Sequence, residues 1–312
     1  MDWVDLIFIL LAALLTIVAA TLWQQRRLQL QQRHLDGLRW CGTLLELVLR
    51  MQQHRGMASA LLAGDPGFRT GLAGKRREVE VLLLALQALP ADSDASIRRV
   101  AEHELPELKL RWDQLCRELD GLTACNSMTR HSAIIGTLLA WLRGIGESCL
   151  NVRAMAGAGR LDFIVPVFVE RLPALSEALG QIRALGSAVA AAGKLEPAQR
   201  VQLSFLIHRI NELLGRSESA LQHAGLQRNA EVERSFATVR ERVQELLDMV
   251  CSDLLEPHRL KIAPAQYYAT ASQAIDAIFV LASLLRRRMH SDSIGAAADS
   301  RHDHRVGTPL VR

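Results

Sequence analysis

The chain has 312 residues, of which 49% are hydrophobic, 22% are charged and 4% are aromatic. Leu and Ala dominate the long segments, and this composition favours helices over β-sheets. The formal net charge is only +4, and the basic residues are spread along the chain, so the sequence lacks the concentrated positive charge that is typical of a nucleic-acid-binding surface. We therefore expect no nucleic-acid partner.

The first element in the chain is an uncharged apolar segment, LIFILLAALLTIVAATLW, at residues 6–23. A helix of this length rises about 1.5 Å per residue and nearly crosses a hydrocarbon layer of about 30 Å. A cleaved signal peptide would begin with basic residues, whereas this chain begins with Asp2 and Asp5. We therefore predict one retained span, with residues 1–34 forming a membrane anchor and a juxtamembrane helix.

The charges beside the span predict its orientation. Arg26, Arg27, Arg33 and Arg39 follow the apolar segment, whereas no basic residue precedes it. Positive charge stays on the cytoplasmic side of a membrane, so the N-terminus is expected to face outwards and the soluble part to face the cytoplasm. The odd number of cysteines, none in a CxxC pair, also indicates a reducing compartment.

The rest of the chain shows helical periodicity almost throughout, interrupted by Gly- and Pro-containing breakers. Asp92 to Asp94 and Asn126 or Ser127 are predicted to cap the third and fourth helices. Pro106 is expected to bend or restart the third. The predicted helices run from the membrane to residue 62 and then over about 69–89, 94–122, 126–152, 163–192, 196–223, 229–255 and 264–289.

These elements predict an all-α fold. A single N-terminal transmembrane helix is followed by about eight helices with short connections, which fit two four-helix bundles. Residues 35–290 are predicted to form the helical domain, interrupted by a loop at 154–159. Residues 291–312 are polar and aperiodic, which predicts a disordered tail.

No catalytic or metal-binding pattern emerges from the sequence. It contains no Gly-rich phosphate loop, no nucleophile elbow and no duplicated Glu-x-x-His pair of a di-iron bundle. His302 and His304 form a short HxH pair without neighbouring ligands, so a solvated tail is expected there. We therefore expect no enzyme, no metal and no cofactor.

The first helix carries a polar cluster inside its apolar seam. Gln52, Arg55 and Ser59 interrupt the apolar positions together, and Gly56 follows the arginine. A buried guanidinium is costly unless something pairs with it. It either bridges to a carboxylate on a neighbouring helix, such as Glu170 or Glu177, or contributes to a pocket for a planar oxyanion.

Two further arginines lie beside apolar seams on later helices. Arg183 precedes small residues on the fifth helix, and Arg240 falls in line with Leu247 and Leu254 on the seventh, so it is predicted to face partly inward. Arg242 lies on the other flank. Each of them is either a surface arginine or, with Arg55, part of a group that surrounds a small anion.

The chain resembles the nitrate- and nitrite-sensing domain of bacterial receptors and regulators over residues 35–289. Four segments carry the resemblance through their order and spacing: LVLRMQQHRGMASALLAGD, MTRHSAIIGTLLAWLRGIGESCL, LSEALGQIRALGSAVAAAGKLEPAQR and PAQYYATASQAIDAIFVLASLL. The resemblance implies two four-helix bundles, a homodimer, and nitrate or nitrite held by arginines near the bundle core.

Residue by residue, the resemblance assigns ligand binding to Arg55 of the Arg-Gly motif, to Arg183, and to a later arginine at position 240 or 242. Gln52, His54 and Ser59 complete the predicted site. The family pattern allows two basic residues in tandem before the Gly, whereas this chain has His54 at the first position. A neutral imidazole donates one hydrogen bond but lacks fixed charge.

The expected function is a sensor of nitrate or nitrite, anchored by a single span in the bacterial inner membrane. Only about twenty residues follow the eighth helix, so its signal is expected to pass by helix rearrangement to a separate effector protein. The alternative is a membrane-tethered helical scaffold that binds a protein partner and no small ligand. In that case the arginines would form salt bridges.

Overall fold

The computed structural model describes residues 3–150, 161–226, 229–256 and 262–303. These residues form eight long helices, and no strand occurs among them, so the predicted all-α class is confirmed. In chain order the helices are α1 (Trp3–Leu62), α2 (Arg69–Gln87), α3 (Ala95–Arg99, Val100–Glu104 and Leu105–Glu118), α4 (Ala124–Cys149), α5 (Leu161–Pro166, Val167–Arg171 and Leu172–Ala192), α6 (Pro197–His223), α7 (Ala230–Met249 and Val250–Leu255) and α8 (Pro264–Asp303).

Several helix ends lie where the local sequence predicts them. The side chains of Asp94 and Asn229 accept backbone N–H groups at the starts of α3 and α7. Glu196 and Gln199 form a reciprocal capping box at the start of α6. Gly193, in the left-handed conformation, ends α5. These boundaries follow from hydrogen bonds between near neighbours, which is why the sequence alone indicates them.

Other boundaries differ from the prediction. Helix α4 begins at Ala124 rather than at position 126 or 127, because the Thr123 hydroxyl already caps it by accepting the N–H of Asn126. Helix α8 continues to Asp303, well past the expected end at Met289. Residues 304–312, the loop at 154–159 and the predicted stop at Pro257 lie outside the described residues, and disorder of the chain end stays a prediction.

Two prolines sit just after π-helical turns. Pro106 follows the turn Val100–Glu104 in α3, and Pro173 follows the turn Val167–Arg171 in α5. Proline lacks an N–H and its ring clashes with the carbonyl four residues earlier, and a wider π turn accommodates both effects without ending the helix. The disturbance that the sequence predicts at Pro106 is therefore the π turn before it, and the helix continues through the proline.

The eight helices form two four-helix bundles, α1 to α4 and α5 to α8, which pack side by side. Helix α1 contacts α2 and α4 in its own bundle and α5 and α8 in the other. Helix α5 contacts α6 and α8 as well as α1. The α1–α5 contact therefore joins the two bundles, and the inward residues of both helices meet there.

The first part of α1 is a candidate membrane span. Its most apolar window has a mean hydropathy of 2.7 and none of it is buried against the rest of the chain. A second segment within α8, Pro264–Ser291, also passes by length and composition, but its mean hydropathy is 1.4 and 44% of its window is buried, as in a core helix. Helix α1 is continuous from Trp3 to Leu62, so it joins the candidate span directly to the bundle interior.

Candidate anion-binding site

Arg55 reaches from α1 towards α5 and is completely buried. Gly180 on α5 makes this possible, because a Cβ atom at that position would lie 2.6 Å from Arg55 Nη2. The same Cβ would also lie 3.3 Å from the side chain of Gln52. The missing side chain at position 180 thus leaves the space that the guanidinium fills between the bundles.

The guanidinium of Arg55 forms a two-point ion pair with Glu177 on α5. Nη1 lies 2.6 Å from Oε1 and Nη2 lies 3.1 Å from Oε2. Nη1 also donates to the hydroxyl of Ser132 on α4, at 2.8 Å. Of the two readings for Arg55, the salt bridge to a neighbouring helix is therefore the one present, and its partner is Glu177 rather than the exposed Glu170.

Two glutamines complete the surroundings of this carboxylate. Gln52 Nε2 donates to Oε2 at 3.1 Å, and Gln181 Nε2 donates to Oε1 at 2.9 Å. The predicted site residue Gln52 therefore does lie beside Arg55, one turn earlier on α1. Charge-assisted hydrogen bonds of this kind are stronger than neutral ones, so Glu177 is held firmly at the bundle interface.

Arg183 lies on the same helix as Glu177 and is also completely buried. Its Nη1 donates to Ser272 of α8 at 3.0 Å, and its guanidinium carbon lies 5.0 Å from the ring centre of Tyr268. A Cβ at Gly56 would lie 2.9 Å from Tyr268 and 3.2 Å from Arg183 Nε, so this glycine leaves room for the cation–π pair. Nε and Nη2 of Arg183 have no hydrogen-bond partner among the described residues.

The charge of Arg183 is thus only partly compensated. Burial lowers its pKa most strongly and the positive charge of Arg55 lowers it further, whereas Tyr268, Asp276 and Glu177 raise it. An arginine stays protonated in proteins. The site therefore contains a buried positive charge with two free donor atoms, which a small anion would satisfy.

His54 contributes to a different cluster beside Arg55. Its Nδ1 lies 2.8 Å from Nε2 of His131, and the Nδ1 of His131 lies 2.7 Å from the carbonyl oxygen of Ser127. His131 therefore donates to Ser127 and accepts from His54. Burial is the main cause that lowers the pKa of both rings, that of His131 to about 4, so both are neutral at pH 7. The one hydrogen bond that His54 Nδ1 can donate goes to His131.

A pocket of about 450 Å³ adjoins the Arg55–Glu177 pair. Its lining includes Ser59 of α1, Ser132 of α4 and Gln181 of α5, of which the last two contact the pair directly. The hydroxyl of Ser59 is buried and has no partner in the described part of the chain. The predicted site residue Ser59 is therefore close to the ion pair, on the wall of a space large enough for a small anion.

Arg240 lies on the surface of α7, away from these groups. Its side chain is 53% exposed and forms an ion pair with Glu218 at 3.0 Å. Arg242, the other candidate, is exposed too and pairs with Glu245 at 2.7 Å. The prediction that Arg240 faces partly inward is wrong, because the α7 seam of Phe236, Val239 and Val243 turns it outwards. A role of either arginine in ligand binding stays a prediction.

Sequence reasoning missed several members of the site. Ser132, Tyr268 and Ser272 contact the two buried arginines, Gln181 donates to Glu177, and His131 pairs with His54. In the sequence, most of these residues cannot be distinguished from other polar residues on a helix. Only Tyr268 offered a signal, since a tyrosine pair before a run of small residues is unusual in a chain with 4% aromatic residues.

Among the described residues, no group of three or more His, Cys, Asp and Glu side chains is arranged to hold a metal ion. The five cysteines are all free thiols, three of them with raised pKa values because burial disfavours the thiolate: Cys41, Cys116 and Cys149. The polar chemistry of the interior is therefore that of arginine, amide and hydroxyl donors around an anionic group.

Comparison with known proteins places this arrangement in a family. No match was found among curated proteins. A solved structure, described as that of the NasR transcription antiterminator, is similar with a TM-score of 0.64 and 19% sequence identity, covering 90% of this chain and 75% of that one. At this identity the similarity shows the fold. The family model for nitrate and nitrite sensing matches residues 46–290, which is most of the chain. The chain belongs to the nitrate and nitrite sensing family.

Proposed function

We propose that this chain is a membrane-anchored sensor that binds nitrate or nitrite where its two helical bundles meet. Residues 1–34 would form the anchor and residues 35–290 the sensing domain. The ligand would lie between Arg183 and Arg55, with Gln52 and Ser59 beside it. The arrangement fits a small planar anion because it offers directed N–H and O–H donors and a buried positive charge.

The observation that carries the proposal is the environment of Arg183. It is completely buried, it lacks a direct ion pair, and two of its donor atoms have no partner in the described residues. A group in this state costs free energy that the chain recovers when an anion binds. Family membership makes nitrate or nitrite the leading anion.

Binding would act on the relative positions of α1, α5 and α8. Arg55, Arg183 and Ser272 come from these three helices, so an anion that contacts them favours one arrangement of the helices over another. A signal results only if the two arrangements differ in affinity for the anion. Because α1 is continuous with the candidate span, its displacement would reach the membrane and a separate effector protein.

The direct test is calorimetric titration of the full chain, in detergent or nanodiscs, with nitrate, nitrite and chloride. We expect saturable binding of nitrate or nitrite and none of chloride. Arg183→Met should weaken binding about 100-fold or more, since two charge-assisted hydrogen bonds are each worth about 1.5–3 kcal/mol. Arg143→Met, at an exposed arginine that pairs with Glu147 on α4, serves as the matched control. A folded wild-type chain that ignores millimolar nitrate and nitrite would contradict the proposal.

One observation favours the alternative of a scaffold without a small ligand. Arg55 already has a carboxylate partner in Glu177, as a structural salt bridge would require. A scaffold predicts no response to small anions, and its protein partner should be recovered by cross-linking in membranes. If the wild type binds the anion and Arg183→Met does not, the sensor is favoured over the scaffold.

The proposed location is the bacterial inner membrane, with a single span and a cytoplasmic domain. The exposed thiol of Cys125 in the domain reports the topology. In intact cells, a membrane-impermeant maleimide should leave Cys125 unlabelled until the cells are opened, and Cys125→Ser gives the background. Labelling in intact cells would place the domain outside and reverse the orientation.

We further propose that the chain works as a homodimer. Light scattering of the full chain in a defined detergent should give twice the mass of one chain, and a monomer at micromolar concentration would contradict this.

The similar solved structure is that of a transcription antiterminator, and the absence of a nucleic-acid partner stays a prediction for this chain.

A further inference from the structure

The carboxylate of Glu177 sits in a cage of four N–H donors, two for each oxygen. Oε1 accepts from Arg55 Nη1 at 2.6 Å and from Gln181 Nε2 at 2.9 Å. Oε2 accepts from Arg55 Nη2 at 3.1 Å and from Gln52 Nε2 at 3.1 Å. This donor set comes from both bundles, so it is assembled by the tertiary fold rather than by one helix.

The group held in this cage resembles the ligand proposed for the protein. A carboxylate and a nitrite ion are both bent, and each spreads one negative charge over two terminal oxygens. Nitrate presents a similar pair of oxygens along each edge of its plane. Arginine in particular binds such paired oxygens with two parallel N–H donors. The Arg55 cage therefore suits a free monovalent oxyanion as well as it suits Glu177.

We propose that Glu177 is a tethered competitor, a carboxylate that occupies the Arg55 cage until a small oxyanion displaces it. The inference rests on the proposed sensor function and adds its regulation: Glu177 sets the anion concentration at which the site responds. With Glu177 removed, the cage becomes a binding site for small carboxylates and nitrite.

Electrostatics favours exchange over simultaneous binding. Arg55 and Arg183 are coupled through their charges, and Glu177 interacts with both. An anion that entered beside a bound Glu177 would meet a second negative charge at short range, which disfavours it. If Glu177 leaves the cage, the incoming ion replaces its charge and its hydrogen bonds, and the charge balance around the two guanidinium groups stays the same.

The structure offers a route for the exchange. The side chain of Glu177 is 13% exposed, whereas that of Arg55 is fully buried, so the carboxylate lies on the outer side of the pair. Ser132 and Gln181, which hold the pair, also line the pocket of about 450 Å³. Glu177 and Arg183 lie six residues apart on α5. Release of Glu177 from the cage and binding of the anion to Arg183 therefore act on the same helix.

The test is chemical rescue of Glu177→Ala by formate, measured on the full chain in detergent. Thermal unfolding is followed during titration with sodium formate or sodium nitrite, with sodium chloride keeping the ionic strength constant. We expect the variant to unfold at a lower temperature than the wild type and to recover saturably with formate. Its apparent affinity for formate should exceed that of the wild type by at least tenfold.

Two controls separate the cage from general salt effects. Glu218→Ala removes an exposed carboxylate that pairs with Arg240, and it should gain no formate response. Arg55→Met combined with Glu177→Ala should lose the response of the single variant. If Glu177→Ala does not fold, Glu177→Gln keeps the side-chain shape without the charge and should bind nitrite about tenfold more tightly than the wild type.

The outcomes also separate this inference from the sensor proposal. Formate rescue without nitrate or nitrite binding by the wild type would support the cage and contradict the sensor. Nitrate or nitrite binding by the wild type, with a folded Glu177 variant no more responsive to formate or nitrite than the wild type, would overturn the tethered competitor and leave the sensor intact.

Discussion

The two buried arginines at the bundle interface differ in what neutralises them. Arg55 on α1 has a two-point ion pair with Glu177 and a bond to Ser132. Arg183 on α5 has one bond to Ser272 and a cation–π contact with Tyr268, and two of its donor atoms are free among the described residues. Burial is the same for both, so burial alone does not identify a binding arginine.

The difference suggests a division of roles across the interface. On the Arg55 side, both Nη atoms bond to protein groups and Nε alone of the guanidinium lacks a partner among the described residues, and the ion pair joins the two bundles. The Arg183 side is not satisfied and would gain most from an added anion. Mutations on the two sides should therefore differ in how strongly they affect folding relative to ligand binding.

The largest effect is expected on the Arg55 side. Arg55→Met leaves the Glu177 carboxylate without its cation at the bundle interface, and breaking a buried pair in this way costs about 3–5 kcal/mol of unfolding free energy. Urea unfolding of the full chain in detergent, followed by circular dichroism, measures it. The matched substitution Arg50→Met, at an arginine that pairs with Glu78 nearer the surface, should lower the unfolding free energy by less than about 1 kcal/mol. Equal losses at the two positions would remove the distinction.

The buried histidine His131, on the Arg55 side of the interface, should make the protein sensitive to acid. The pKa of His131 is about 4 in the folded protein, whereas an unfolded histidine titrates near 6.5. The unfolded chain thus takes up the proton first as the pH falls. The contribution of His131 to the free energy of unfolding is therefore complete above about pH 6.5, and it falls by on the order of 3 kcal/mol between pH 6.5 and 4.

Unfolding free energies measured across this pH range test the assignment. His131→Asn should flatten the dependence, because asparagine does not titrate, whereas the exposed His103→Asn should leave it as in the wild type. An unchanged slope in His131→Asn would show that other groups cause the acid sensitivity.

A matched pair of glycine substitutions compares the packing around the two arginines. The Cβ of Gly180→Ala would lie 2.6 Å from Arg55 Nη2, and that of Gly56→Ala would lie 2.9 Å from Tyr268 and 3.2 Å from Arg183 Nε. Overpacking of this kind costs about 1–3 kcal/mol. We expect Gly180→Ala to lower stability more, and Gly56→Ala to weaken nitrate or nitrite binding more. The reverse order in calorimetry and unfolding would contradict the division of roles.

A small effect on stability is expected from Arg183→Met, despite complete burial of the side chain. The variant loses one hydrogen bond and a cation–π contact, and it also removes a buried charge without a direct ion pair. These contributions oppose each other, so the unfolding free energy should change by less than about 1 kcal/mol. Stabilisation by added nitrate or nitrite, seen as a shift in melting temperature, should disappear. A loss as large as that of Arg55→Met would show that Arg183 is structural.

The smallest effect is expected at the surface. Arg240→Ala removes an exposed ion pair with Glu218, and such pairs contribute about 0–1 kcal/mol. Its affinity for nitrate or nitrite should equal that of the wild type in the same titration. A clear loss of affinity would restore Arg240 to the site and require α7 to turn or a second chain to contribute.

The sequence alone determined the class of fold and most helix boundaries. Hydrophobic periodicity reveals which face of a helix is buried, and capping residues such as Asp94, Glu196 and Asn229 act within one turn of themselves. The apolar segment at residues 6–23 and the polar cluster at Gln52, Arg55 and Ser59 are equally local. Such features need no knowledge of the tertiary contacts.

The tertiary structure decided which charges meet. Arg55 and Glu177 are 122 residues apart in the chain, and Arg183 and Ser272 are 89 apart. No local pattern could choose Glu177 over Glu170 as partner, because the choice depends on how α5 is rotated against α1. Gly180 and Gly56 show the same limit, since they look like ordinary small helix residues until a guanidinium or an aromatic ring lies against them. Helices form through contacts within one turn, whereas a site between helices forms through packing, and only packing places a carboxylate on one arginine and leaves the other without an ion pair in the described part of the chain.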